Sequence, residues 1–301
     1  MLINAFGLGA SKDIFFTQDN QSGINHGESG NCTVGNHHPE LDVFLATLST
    51  GPVGFGDGVN DTNTTLLMRC CAADGKILKP SVAITPIDAT WTQASASRKT
   101  PSIPKGPECL TGCAASASVW TAHSVVNGSY WHYAMAIDVP TSFQLVGTDL
   151  WPAVPSSSGG VEGGGAVMHR RWHAPACNDG MQASACGVVG GLPDVKTGIP
   201  AASSPIGAHN WELTTIITAV NGAGGIALLG ELGKVVSVSA SRFISVVPGA
   251  AGSAGLTVRV AGKPTEVVEI AFVVGGAAGT IVVKRASIGP SGAATVVVTS
   301  K

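Results

Sequence analysis

From Val119 to the C-terminus the chain is a succession of short β-branched and aromatic runs, each closed by turn-forming residues. No other feature limits the fold as much. "VWTAHSVV" and "YWHYAMAIDV" flank "NGS", an Asn-Gly hairpin signal. Further runs follow at Leu213 to Val220, Ile226 to Leu229, Lys234 to Val238 and Phe243 to Val247. Leu256 to Val260, Val267 to Val274, Thr280 to Lys284 and Thr295 to Thr299 complete the series. Short strands at roughly 8–12-residue spacing predict an antiparallel β sandwich over residues 118–301. Forty glycines with only 5% aromatic residues fit many turns between short strands. Pro152 to Ala208, rich in Gly, Ser and Pro, reads as a long irregular stretch, and no internal repeat is evident.

The first 91 residues have a different grammar. Ile14 to Phe16 is a short apolar run that ends in a polar loop. "HPELDVFLATLS" follows, with Pro39 suited to a first helical turn and Leu41, Phe44, Leu45 and Leu48 at helical spacing. "GPVGFGD" reads as a short buried strand. "DTNTTLLMRCCAADG" then offers Asn or Thr caps, an apolar face through Leu66, Leu67 and Cys70, and Gly75 as a stop. Strand, helix, strand, helix is the order of parallel α/β architecture. Residues 92–117, rich in Ser, Pro and Gly, read as a linker. The expected fold class is therefore an α/β fragment followed by an all-β sandwich, mainly β overall.

Composition removes several function classes. With 44% hydrophobic and 12% charged residues, the chain buries a core and is not disordered by composition. A net charge of −2 with scattered basic residues gives no nucleic-acid footprint and no polybasic membrane patch. The most apolar window, Val267 to Val283, contains Glu269 and "GGAAG", so it reads as two strands around a turn rather than a membrane span of about 20 residues.

Seven cysteines and five N-x-S/T sequons, at Asn20, Asn31, Asn60, Asn63 and Asn127, point to an oxidising secretory route and to glycosylation. Cys177 and Cys186 bracket a loop that a disulfide closes easily, and the C-x₃-C spacing of Cys109 and Cys113 permits a local bridge. Cys70 and Cys71, adjacent in a helical pattern, cannot both face the core; one is expected inside and the other bonded elsewhere, with Cys32 a candidate partner. The N-terminal "MLINAFGLGASKDIFF" lacks a basic n-region and is not a signal peptide. These signals together predict the C-terminal portion of a longer secreted chain.

Among candidate sites, the glycine-rich "GFGDGV" from Gly54 has Val59 where a dinucleotide fingerprint needs its third glycine, and no G-K-[ST] follows. A close-packing strand with a sharp exit is the better reading. "HRRWH" places His169 and His173 four apart, a metal-binding spacing on a helix, but the setting is β-like and no third ligand is evident. A surface or cross-strand polar cluster is favoured there. "NHHPE" reads as a helix start before a ligand pair. No metal and no cofactor are expected. Asp19 and Asp57 each lie just past a short apolar run, the place where parallel α/β folds build sites.

The segment "DIFFTQDN…HPELDVFLATLSTGPVGFGDG…TNTTLLMRCCAADGKIL" resembles the end of the catalytic barrel in the α-galactosidase and raffinose-synthase group of glycoside hydrolases. Those enzymes carry a C-terminal antiparallel β domain after the barrel, similar in kind to Val119 onward. The resemblance implies that Ile14 to Phe16 and Val53 to Phe55 are the seventh and eighth barrel strands, with residues 1–91 the C-terminal portion of a (β/α)₈-like barrel. It also implies that Asp19, Asn20 and Asp57 bind substrate, with carbohydrate as ligand and the upstream barrel portion of the same protein as partner. In that group the nucleophile and acid/base carboxylates come from earlier strands, so the chain by itself is expected not to hydrolyse a substrate. The alternative is a non-catalytic secreted β protein, glycan-binding or structural, using Trp120, Tyr130, Trp131 or Trp172 as a sugar platform; core packing is the competing role for those rings.

Overall fold

The computed structural model describes residues 14–18, 38–88, 118–139, 142–154, 167–198, 209–218, 225–249 and 254–300. The fold is mainly β, and its sheets are antiparallel. Among the described residues of the N-terminal region, two helices are α1 (Pro39–Ser49) and the short α2 (Thr64–Met68). Pro39 opens α1, where a missing N–H costs nothing, and Leu41, Phe44 and Leu48 form its buried face. Asn63 caps α2 by accepting from the Leu66 amide at 3.0 Å. The two short runs expected as strands meet in one parallel bridge, Phe15 to Phe55, with α1 between them in the chain.

The largest sheet has six strands in the order β1-β2-β3-β8-β5-β6. These are β1 (Val82–Pro86), β2 (Ser118–Val126), β3 (Ser129–Ile137), β8 (Trp211–Thr218), β5 (Val167–Arg171) and β6 (Val188–Gly190). β4 (Phe143–Gln144) and β7 (Asp194–Val195) form a small pair beside it. Among the described residues there are also two three-stranded sheets. One joins β13 (Thr280–Ser287), β12 (Val267–Val274) and β9 (Ile226–Glu231); the other joins β10 (Phe243–Pro248), β11 (Gly255–Ala261) and β14 (Ala293–Thr299). β11 and β14 bury alternate residues, as half-covered strands do, whereas every residue of β9 is buried.

One hydrophobic core runs through most of the chain. It includes Phe15, Phe44 and Leu66 of the N-terminal region, Trp131, Tyr133 and Met135 of β3, and Leu228, Val258, Phe272 and Val298 of the C-terminal sheets. A second core on the other face of the six-stranded sheet gathers Ala134, Ala136 and Ile216 under Leu145, Leu150 and Val195. β1 falls inside the range read as barrel, yet it pairs antiparallel with β2 as an edge of the β region. Lys234 to Val238, expected as a strand, is an irregular buried segment instead. Its backbone groups bond outward, Val235 N–H to the Arg69 carbonyl and Val238 N–H to the Tyr133 hydroxyl, so no ladder forms.

Candidate functional site

The carboxyl ends of the two parallel segments converge on Asp57. One oxygen of its carboxylate accepts the Thr17 amide at 2.7 Å and the other accepts the Thr17 hydroxyl at 2.6 Å. The Thr17 hydroxyl oxygen in turn accepts the Asn63 amide at 2.7 Å, so the exits of both segments and the start of α2 share one knot. Gln18 reaches the Asp61 carbonyl across the same junction. Phe55 and Ile14 beside this junction are 52% and 58% exposed. Asp19 and Asn20, the other two residues expected at this site, lie outside the described residues, as do Asn31, Cys32, Cys109 and Cys113.

Cys177 and Cys186 form a disulfide with Cα atoms 5.0 Å apart. Cys70 is buried, and burial pushes its thiol up to about 12; Cys71 is a free thiol rather than a bonded partner. Asn60 and Asn127 are exposed, whereas Asn63 is half-buried and its side-chain oxygen caps α2. Among the described residues, no helix is long and apolar enough to cross a membrane. The same residues hold no group of three or more His, Cys, Asp or Glu side chains suited to a metal ion. "HRRWH" is not helical: His169 lies within β5 and His173 beyond its end. His38 precedes α1 as the N-cap residue, and its ring Nε2 accepts the His209 amide at 2.7 Å.

A cavity of about 760 Å³ opens where α1, α2, β5, β8 and β9 meet. Trp172 lines it, and its indole N–H donates to Glu40 at 3.0 Å. Arg69 pairs with the same carboxylate and lies over the Trp172 ring, 5.5 Å from its centroid. Phe44 meets that ring edge-on at 4.6 Å. Glu231 and Glu269 also line the cavity but do not make a catalytic pair. Ile270 pairs with Glu231 in register, so Glu269, one residue earlier, points to the opposite face of the sheet. Glu231 is committed to Arg242 at 2.8 Å and Glu269 to Arg285 at 2.8 Å. Of the four candidate platform rings, Trp131 is fully buried and its N–H donates to the Leu228 carbonyl, which removes it from any sugar surface. Trp172 is the one that lines this cavity.

Two polar clusters escaped the sequence reading. His209 Nδ1 and Asp138 Oδ2 are 2.6 Å apart, and Asp138, almost wholly buried, also accepts the Asn210 amide at 3.0 Å. His123 and His132 face each other across β2 and β3, with ring centroids 5.8 Å apart. Asp138 and His209, 71 residues apart, leave no local trace, whereas a two-residue turn at Asn127 and Gly128 sets His123 opposite His132, so the Asn-Gly hairpin signal was enough to find that pair. No protein-family model matches the chain, and a search of curated proteins returns no significant match.

Proposed function

We propose that this chain is the C-terminal portion of a secreted, glycoside-hydrolase-like protein whose ligand is carbohydrate. One observation carries the reading: parallel segments joined through a helix meet in the Phe15–Phe55 bridge, their exits converge on Asp57, and an antiparallel β region follows. Parallel α/β folds take ligands at the carboxyl ends of their strands. Asp57 is assigned the binding of sugar hydroxyls, alongside Asp19 and Asn20 just beyond Gln18 in the chain. Glycosidic hydrolysis needs two carboxylic groups at a set separation, and these are assigned to upstream barrel strands that also cover Ile14 and Phe55. The Cys177–Cys186 disulfide is compatible with an extracellular setting. The test is turnover of aryl α-glycosides by this chain and by a form extended upstream. Only the longer form is expected to act; turnover by the chain alone overturns the division of the site.

A second reading, a non-catalytic glycan-binding β protein, is favoured by the Trp172 cavity. Removing residues 1–90 would strip Phe44 and Leu66 from the shared core, so point variants separate the readings better. Glycan binding lost in Trp172→Ala and kept in Asp57→Asn supports the second reading; the opposite pattern supports the first.

A further inference from the structure

A second cavity, of about 750 Å³, lies against the opposite face of β5 and β8. Strand alternation sends His169 and Arg171 to this face while Arg170 lines the first cavity. Pairing of Arg171 with Thr214 brings Glu212 to the same side, and the Arg171 guanidinium Nε sits 3.3 Å from Glu212. Gln144, Trp211 and His173 complete the polar and aromatic lining.

The hydrogen-bond roles of these groups are fixed by their neighbours. His169 Nδ1 lies 3.0 Å from the Gly191 carbonyl, which only accepts, so the proton is on Nδ1. Burial favours the neutral ring, so Nε2 keeps a lone pair, and it has no hydrogen-bond partner among the described residues. Gln144 directs its amide N–H groups to the carbonyls of Leu145, Leu192 and Pro193, which leaves its oxygen as an acceptor. Arg171 gives one N–H to the Asp194 carbonyl at 2.7 Å and keeps further donors, with a side chain 46% exposed. The indole of Trp211 packs edge-on against Phe44 at 5.3 Å and faces the His173 ring at 5.2 Å.

Interleaved donors and acceptors beside an aromatic ring define a narrow class of ligand. An inorganic anion is recognised by donors alone, a metal ion by acceptors alone, and an apolar molecule by neither. Hydroxyl groups donate and accept at once. We infer that this cavity is a second saccharide site, which takes a neutral sugar with one hydroxyl donating to His169 Nε2 and another accepting from Arg171. The inference rests on the carbohydrate reading above but concerns a different face of the molecule.

Saturation-transfer NMR on the full chain with galactose, glucose, mannose, N-acetylglucosamine and glucuronate tests it. A neutral sugar is expected to bind, to shift the His169 Nε2 resonance in the unmodified protein, and to bind about tenfold or more weakly to Arg171→Met. Asp57→Asn is expected to retain the His169 shift. Loss of binding in Asp57→Asn with no His169 shift in the unmodified protein overturns this site and leaves the carbohydrate reading standing. Preference for glucuronate overturns the neutral-sugar class, and failure of every sugar to bind removes both readings.

Discussion

His123 and His132 sit side by side in a nearly dry part of the β2–β3 pair, and the His132 Nδ1 has no hydrogen-bond partner. Burial, and secondarily the charge of His123, lowers the His132 pKa from 6.5 to about 4; burial lowers that of His123 as well. The unfolded chain therefore binds more protons than the folded one between about pH 6.5 and pH 4, and stability falls as pH drops through that window. For His132 the loss is on the order of 2–3 kcal/mol. Urea denaturation at pH 7.5 and pH 4.5 measures it, and His132→Gln is expected to flatten the difference; an equal pH dependence in both proteins contradicts the assignment. The position of Asp57 at the exit of its segment was legible at this scale because it follows an apolar run directly. Its clamp on Thr17 was not, since a hydrogen bond across 40 residues leaves no local trace.

The β2–β3 hairpin turns at Asn127 and Gly128, with φ of 48° and 76°, the paired positive values that a two-residue turn of this hand requires. That element was readable from "NGS" because turn chemistry is local. β9 is different. Gly230 has φ 104° and stands at a register shift, Ala271 opposite Gly230 and Phe272 opposite Leu228, so Leu229 bulges. A Cβ on Gly230 would collide with the Ser237 carbonyl. Gly230→Ala is expected to cost more than about 3 kcal/mol in a chemical melt, against about 1 kcal/mol for Gly128→Ala. Comparable losses at the two positions would contradict the bulge.

Expectation failed for elements where partners outside the element took the backbone groups. α2 stops at Met68 although the apolar pattern runs on to Cys70, and Lys234 Nζ holds the carbonyls of Met68 and Cys71 at 2.7 and 2.6 Å. Apart from Lys234 to Val238, the β runs after residue 211 were legible because short β-branched runs and turn residues repeat with the period of the strands themselves.

Across the whole molecule, the N-terminal region that carries α1 and α2 and the C-terminal sheets are joined by a buried ion cluster. Arg242, 1% exposed, contacts Glu231 at 2.8 Å and Glu266 at 2.5 Å, and Glu266 accepts the Ala73 amide at 3.1 Å. Burial raises Glu231 above the usual carboxylate range despite Arg242. Burial would raise Glu266 too, but hydrogen bonds from Arg242 and the amides of Ala73 and Lys263 hold it below that range. Arg242→Ala strands two carboxylates and is expected to cost about 3–5 kcal/mol. The two regions should melt together in calorimetry, and two separated transitions would contradict the shared core. The continuous core was not readable from the sequence, because long-range packing has no sequence period.

Carbohydrate as the ligand is tested most directly by presenting the full chain to an array of neutral and acidic oligosaccharides. Saturable retention of a defined set of glycans, reduced by Asp57→Asn or Arg171→Met according to which site holds them, is the predicted result. No retention of any glycan by a folded chain would contradict it.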